Sequence, residues 1–371
     1  MMNSLKMSLL LIFALLAVVF THPASAAGAM SLSSSELALR LVSGPRAFSG
    51  ISTPLLQNLS PYCIQAMRVA VGPPRAELAL DVVNPVKKVD TPANGQAQAC
   101  AKADLDVNPR ILGTVVLLPG YGIPKSALLP YADALAKNGF RAILVDLRGQ
   151  GESTGQYIGF IWRDASDLNQ AIATLRKQGD IVGHLGLFGI SYGASVALEA
   201  SARDHEVKVV VAVAPFARVA PTIKRFIELS DPGLAKTISK STWAAAIKKA
   251  GVLEGFPLSL GNPHRVVARI QARVLYIAGS QDHVAPLRDI RCVRCAISAT
   301  QNARIPPPSM LRYHHPKCWL PPPGQTLPLG WYACVPERSL RMDSPESGIR
   351  KAPLTTRSRI ASATVGLSMP R

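Results

Sequence analysis

Between Ile111 and Ala214, four short apolar runs alternate with stretches of helical period, and that rhythm leaves few folds open. Thr114–Leu118, Ala142–Val145, Leu185–Phe188 and Val207–Ala214 are apolar at nearly every position. Such runs read as strands buried on both faces. Pro130 stands where a helix would begin, and Asn138-Gly139 where it would stop. Leu168, Ile172 and Leu175 recur at helical spacing up to Gly179, and Ala194 to Ala202 supplies a third helix. The pattern predicts an α/β fold with a mostly parallel central sheet and helices on both faces. Residues 215–271 break the rhythm. Ile223 to Ser230 and Trp243 to Lys249 look helical, with Asp231-Pro232-Gly233 between them, so this stretch reads as a small helical cap. A further strand is expected at Arg273–Gly279, which brings the α/β core to 111–287.

The flanks are different. Residues 27–75 mix Ser, Pro and short apolar stretches, and Ala76–Val82 reads as an early strand. Asn84 to Arg110 holds Pro85, Pro92, Asn94-Gly95 and Pro109, which predicts a loop. Together, 27–110 form an N-terminal region of strands and loop. Residues 288–371 hold 12 Pro, 11 Arg and four of the six Cys, with no strand or helix period. An irregular, atypical tail is expected there. An out-of-frame reading of a GC-rich gene would produce this composition, so the tail is expected not to be a native continuation.

The first 26 residues resemble an export signal. Lys6 precedes an apolar run from Ser8 to Phe20, and Ala24-Ser25-Ala26 fits a cleavage site before Ala27. The run is short for a membrane span, which needs about 20 apolar residues. A secreted or periplasmic location follows, in an oxidising compartment where Cys63 and Cys100 can pair or remain two buried thiols. The net charge is +18, and the tail, with 13 Lys and Arg against 4 Asp and Glu, carries half of it. Such a surface suits weak contact with anionic envelope surfaces, and no nucleic-acid motif accompanies it.

One segment carries chemistry. Gly189-Ile190-Ser191-Tyr192-Gly193 follows a buried strand and opens a helix. That is the setting of a nucleophile elbow, where the turn lifts the serine hydroxyl clear of the backbone. Acyl transfer also needs donors for the developing oxyanion. The Tyr192 N–H is one candidate, and the Tyr121 N–H in Pro119-Gly120-Tyr121-Gly122 is the second. Asp282, just past the Arg273–Gly279 strand, lies in the right chain order for the acid, with Asp231 as a weaker choice.

These motifs resemble the α/β-hydrolase superfamily, and within it the serine aminopeptidase S33-like group that includes monoacylglycerol lipases. Asp146-Leu147-Arg148-Gly149-Gln150-Gly151-Glu152-Ser153 is similar to that group's Asp-x-Arg-Gly-x-Gly-x-Ser segment, which is structural in the family. Pro119-Gly120-Tyr121-Gly122 resembles its His-Gly oxyanion loop with Pro in place of His, and Gly279-Ser280-Gln281-Asp282 resembles its acid-bearing segment. The resemblance implies the α/β-hydrolase fold and a Ser-Asp-His mechanism. It places the histidine some 25–35 residues after the acid. His314 and His315 stand 32 and 33 residues on, in surroundings unlike the family's, so they are either the base or two exposed loop histidines. Cys292-x-x-Cys295 with His314, His315 and Cys318 also has zinc-like spacing, which disulfides or chance explain better in an exported chain.

The expected function is an exported serine hydrolase of carboxylic esters, acting on a small-molecule or lipid ester without a cofactor. Phe226, Leu229 and Trp243 are candidates for apolar lining from the cap, or for packing of the cap on the core. A peptidase or thioesterase on the same fold is the alternative within enzymes. A catalytically impaired envelope protein without its native histidine is the alternative outside them.

Overall fold

A computed structural model of the protein describes residues 32–44, 50–87, 111–279, 281–289 and the backbone of 331–334. All fall in the first of two structural units, Met1–Pro336; the second, Glu337–Arg371, lies outside the described residues. In chain order the elements are α1 (Ser34–Val42), α2 (Thr53–Leu59), β1 (Tyr62–Val71), β2 (Ala76–Lys87), β3 (Gly113–Leu118), α3 (Leu129–Lys137) and β4 (Phe140–Val145). Then come α4 (Trp162–Gln178), β5 (His184–Ile190), α5 (Tyr192–Ser201) and β6 (Val207–Val213). Three helices follow, α6 (Val219–Ser230), α7 (Pro232–Thr237) and α8 (Lys240–Glu254), before β7 (Arg273–Gly279) and β8 (Trp331–Cys334).

The strands form one sheet in the order β1-β2-β4-β3-β5-β6-β7-β8. β4, β3, β5, β6 and β7 run parallel to one another, while β1 and β2 at one end of the sheet and β8 at the other pair antiparallel. In β3 and β4 the continuous apolar runs are explained by cores on both faces; β6, expected to be buried on both, has Val209 44% exposed on its second face. Leu117, Ala142 and Leu144 pack with Leu129, Ala132 and Ala136 of α3. Their chain neighbours Val116, Leu118, Ile143 and Val145 pack on the other face, with Leu168, Ile172 and Leu175 of α4 and with α5. Alternate strand residues thus enter opposite cores, as the period of two requires.

Several elements go beyond the sequence expectation. α1 is set by a capping box, in which the Glu36 N–H donates to Ser33 Oγ at 3.2 Å and the Ser33 N–H to Glu36 Oε2 at 2.9 Å. β1 has exposed residues at mid-strand, as an edge strand can. β2 runs on to Lys87, so residues 84–87, expected to be loop, are strand, and 88–110 lie outside the described residues. Its Pro85 is tolerated because β2 pairs β4 only as far as Val83 and the register to β1 shifts nearby. Asp231-Pro232-Gly233 starts a helix: Asp231 caps it by accepting from the Leu234 N–H at 2.9 Å, and Pro232 takes the first position. Within the stretch expected to be irregular, the Trp331–Cys334 backbone pairs antiparallel with Tyr276–Gly279. Cys63 is disulfide-bonded, and Cys100 lies outside the described residues. Among the described residues no helix is long and apolar enough to cross a membrane.

The Asp146–Gly155 segment is tied down by buried charge. The Lys125 ammonium, 1% exposed, lies 3.2 Å from Asp81 and 3.6 Å from Asp146, and also pairs with Glu152. The Asp146 carboxylate accepts from the Lys125 N–H at 2.7 Å and the Glu152 N–H at 2.9 Å. Arg148 donates two bonds to Asp167, at 2.5 and 3.0 Å, and a third to the Pro74 carbonyl at 2.8 Å. Burial raises the carboxyls of Asp81 and Asp146, the latter to about 6, against the lowering influence of Lys125. Removing one member of such a cluster leaves the others buried and unpaired. Lys125→Ala is therefore expected to lower unfolding stability by about 3–5 kcal/mol in urea denaturation, well beyond an exposed-lysine control.

Candidate active site

The parallel strands bring three loops to one edge. Leu118 is paired with Gly189, Ile190 with Val213, and Val213 with Ile277, so β3, β5, β6 and β7 leave the sheet at the same level. Ser191 follows β5, Pro119-Gly120-Tyr121-Gly122 follows β3, and Asp282 follows β7. All three sit at the carboxyl end of the sheet, where open α/β sheets place their ligands.

Ser191 occupies a strained turn. Its φ of 53° and ψ of −108° lie where non-glycine residues rarely settle, at a cost of about 1–3 kcal/mol. The surroundings impose this. The Ser191 N–H donates to the Val213 carbonyl at 2.7 Å, while the Ser191 carbonyl accepts from the Ser195 N–H at 3.1 Å and so starts α5. The flanking glycines are required by space. A Cβ on Gly189 would lie 2.3 Å from the Gly193 oxygen, and one on Gly193 only 2.2 Å from the Leu118 oxygen and 2.5 Å from the Pro119 oxygen.

The loop after β3 lies against this turn. A Cβ on Gly120 would be 3.9 Å from the Ser191 Cβ. The Ile123 N–H closes the loop onto the Gly120 carbonyl at 3.1 Å, and the Gly122 N–H donates to Gln150 Oε1 at 2.9 Å. No acceptor among the described residues takes the N–H of Tyr121 or of Tyr192. The Tyr121 ring sits between those of Tyr192, at 6.0 Å, and Phe226 from α6, at 5.9 Å edge-on. Burial pushes the Tyr121 hydroxyl up to about 12, so it stays neutral.

Asp282 Oδ1 accepts from the N–H groups of Val284 at 2.9 Å and Ala285 at 2.7 Å. The segment after it is clamped from α6: Arg225 donates to the Val284 carbonyl and to Asp289, both at 2.8 Å. Asp289 also accepts from the Ala217 N–H at 3.2 Å. Asp231, the weaker acid candidate, is spent on capping α7.

His314 and His315 lie outside the described residues, as do Cys292, Cys295 and Cys318 of the zinc-like spacing. Among the described residues no histidine hydrogen-bonds Ser191 or Asp282; His264, for one, bonds the Ala217 carbonyl at 2.9 Å. The apolar candidates of the insertion separate. Phe226 reaches Tyr121, Trp243 packs partly buried on the core, and Leu229 is 54% exposed. Gln150 and Arg225, which hold the two loops in place, were not expected from sequence. Their partners stand 28 and 59 or more residues away, with no local signal.

Because Gly193 meets backbone rather than a movable side chain, Gly193→Ala is expected to push the loop after β3 away from Ser191. The cost in unfolding free energy should be about 1–3 kcal/mol, as for other overpacked sites, and urea denaturation measures it.

Comparison with known proteins agrees with this fold. The family model of the X-Pro dipeptidyl-peptidases (S15 family) matches residues 45–225, a little under half of the chain. The match is thus to the S15 family, and it supports the superfamily rather than the S33-like group. The polyketide transferase grgF of Penicillium sp is 34% identical over 106 residues, 27% of this chain and 36% of that protein. The thiohydrolase aneE of Aspergillus aculeatus is 30% identical over 105 residues, 27% and 33% of the two chains. The chain therefore spans about a third of the length of these curated relatives. A solved esterase of Pyrococcus furiosus, Pf2001, superposes with a TM-score of 0.51 at 18% identity, covering 70% of this chain and 85% of that one. With its strand order, its helices on both faces and its strained strand-to-helix turn, the chain has the α/β-hydrolase fold.

Proposed function

We propose that the chain is a serine hydrolase of carboxylic esters. The observation that carries the reading is Ser191, held at positive φ at the head of α5, with the N–H groups of Tyr192 and Tyr121 taken by no acceptor among the described residues. In this reading Ser191 Oγ attacks the acyl carbon and passes its proton to a histidine. The N–H groups of Tyr192 and Tyr121 hold the oxyanion as the tetrahedral intermediate forms. The histidine then gives the proton to the leaving alcohol, and water repeats the sequence to free the acid. Asp282 orients that histidine through its carboxylate, and His314 and His315 are the candidates for it. Residues 215–271 act as the cap, with Phe226 reaching down to Tyr121. Export with cleavage before Ala27, and weak contact of the basic surface with anionic envelope material, belong to the same reading.

The similarity to proteins named as an esterase and a thiohydrolase supports acyl transfer to water. A second reading, a peptidase on the same machinery, is favoured by the match to the X-Pro dipeptidyl-peptidase family model. Both use the same serine, so one experiment tests the shared part. A fluorophosphonate probe is expected to label the folded protein, and Ser191→Ala to abolish the label. With an ester substrate, Ser191→Ala should lower kcat by about 10⁴-fold or more. The His314→Ala/His315→Ala double variant should fall comparably, and robust activity in it would refute both candidates. Absence of labelling in folded native protein would favour a chain without a working base. Ester, amide and thioester substrates compared side by side then separate the two enzyme readings.

A further inference from the structure

We propose that Asp164 is a positioning residue for the Tyr192 N–H, holding that tyrosine by its phenol so that the N–H points at the developing oxyanion. The inference rests on Ser191 as the nucleophile and adds a device that governs the same site.

Asp164 is fully buried at the start of α4 and gathers three donors. The Tyr192 hydroxyl donates to Oδ2 at 2.5 Å, the Ile161 N–H to Oδ2 at 3.0 Å and the Gly159 N–H to Oδ1 at 3.3 Å. Capping of α4 accounts for the two N–H bonds. It does not account for the phenol, which arrives from α5, the helix that Ser191 opens. The Tyr192 hydroxyl also accepts from the Ile161 N–H at 3.2 Å, so its position is fixed from two directions. Tyr192 is then held at both ends, by the strained turn at its backbone and by Asp164 at its ring tip. A donor must be in place before the charge develops, and a misplacement of about 1 Å can cost about 100-fold in rate.

The anchor is itself built under strain. Phe160 and Ile161, neither of them glycine, have φ of 43° and 69°. Conformations like these persist only where the surroundings over-determine them. Here Asp164 holds the Gly159 and Ile161 N–H groups on either side of Phe160. From above, Gly261 of the insertion presses on the Phe160 carbonyl so closely that a Cβ there would lie 2.0 Å from the oxygen. A line of contacts thus runs from Gly261 through Phe160, Ile161 and Asp164 to Tyr192.

The charged and titratable groups around Asp164 are Tyr192 from α5, Arg148 from the loop after β4, Asp167 and Arg163 from α4, and Glu254 at the end of α8. Burial raises the Asp164 carboxyl to about 6, opposed chiefly by the bond from Tyr192. Above that pH the carboxylate accepts all three donors. Below it a proton competes with the phenol for Oδ2, and the hold on Tyr192 loosens. Burial raises Glu254 to about 7, so it needs its own control.

The test uses full-length protein labelled with ¹⁵N-tyrosine, the Tyr192 amide being the resonance lost in Tyr192→Phe. From pH 5 to 8 that resonance is expected to move in one step with a midpoint near 6. The step should persist in Glu254→Gln and vanish in Asp164→Asn. A resonance that ignores pH in the native protein, or a step retained in Asp164→Asn, overturns the proposal. If Asp164→Asn does not fold, Glu254→Gln decides: a retained step supports Asp164, and a lost one overturns it. In protein that reacts with fluorophosphonate, Tyr192→Phe is expected to slow labelling about 10- to 100-fold. A native labelling rate in that variant would remove the link to the oxyanion. The resonance needs no turnover, so an unreactive Ser191 would count against the hydrolase reading and leave this test standing.

Discussion

Much of the site depends on how closely the first turn of α5 lies against the end of β3. Gly193 sits so near the Leu118 and Pro119 carbonyls that no side chain fits between them. That approach brings the loop after β3 against the turn, so that a Cβ on Gly120 would be 3.9 Å from the Ser191 Cβ. It also demands the positive φ at Ser191, since the chain must reverse from strand to helix within one residue. Strain at that point is offset by the sheet on one side and by α5, buried along its whole length, on the other.

Around this contact, buried polar groups do what apolar packing cannot. Dispersion and area burial hold helices to a sheet without fixing a loop to a fraction of an ångström, whereas hydrogen bonds are directional. Gln150 holds Gly122, Asp146 holds Lys125 and Glu152, Arg225 holds Val284 and Asp289, and Asp164 holds Tyr192. Apart from the local bond to Glu152, each joins segments more than 20 residues apart in the chain. Partners such as Asp146 and Lys125 cost desolvation on burial, and that burial raises the Asp146 carboxyl.

The core strands were legible from their apolar runs, which in β3 and β4 follow from burial on both faces; in β6 the same run carries Val209, which is 44% exposed. β1 falls in the 27–110 region expected to hold strands, but it lacks a clear period because it is an edge strand with exposed residues such as Arg68 among its buried ones. α1 carried a usable signal in Ser33-x-x-Glu36, whereas α7 looked like a turn because a capping Asp and a first-position Pro also begin turns. Ser191 was legible for a local reason: its glycines, its strand and its helix adjoin in the chain. Arg225 and Gln150 were not, because an arginine or glutamine carries no mark of a partner dozens of residues away.

By itself, then, the sequence determined the alternation of strands and helices and singled out Ser191, Tyr121 and Asp282 as candidates. Both follow from short-range pattern, in the period of apolar residues and the glycines of a tight turn. Only the tertiary structure decided that these segments leave the sheet at one edge and at one level. The in-register pairing of β3, β5, β6 and β7 sets that, through main-chain hydrogen bonds that every sequence possesses and none spells out. It also decided which polar side chains brace the site, because a buried carboxylate such as Asp164 takes its partners from space rather than from neighbouring residues.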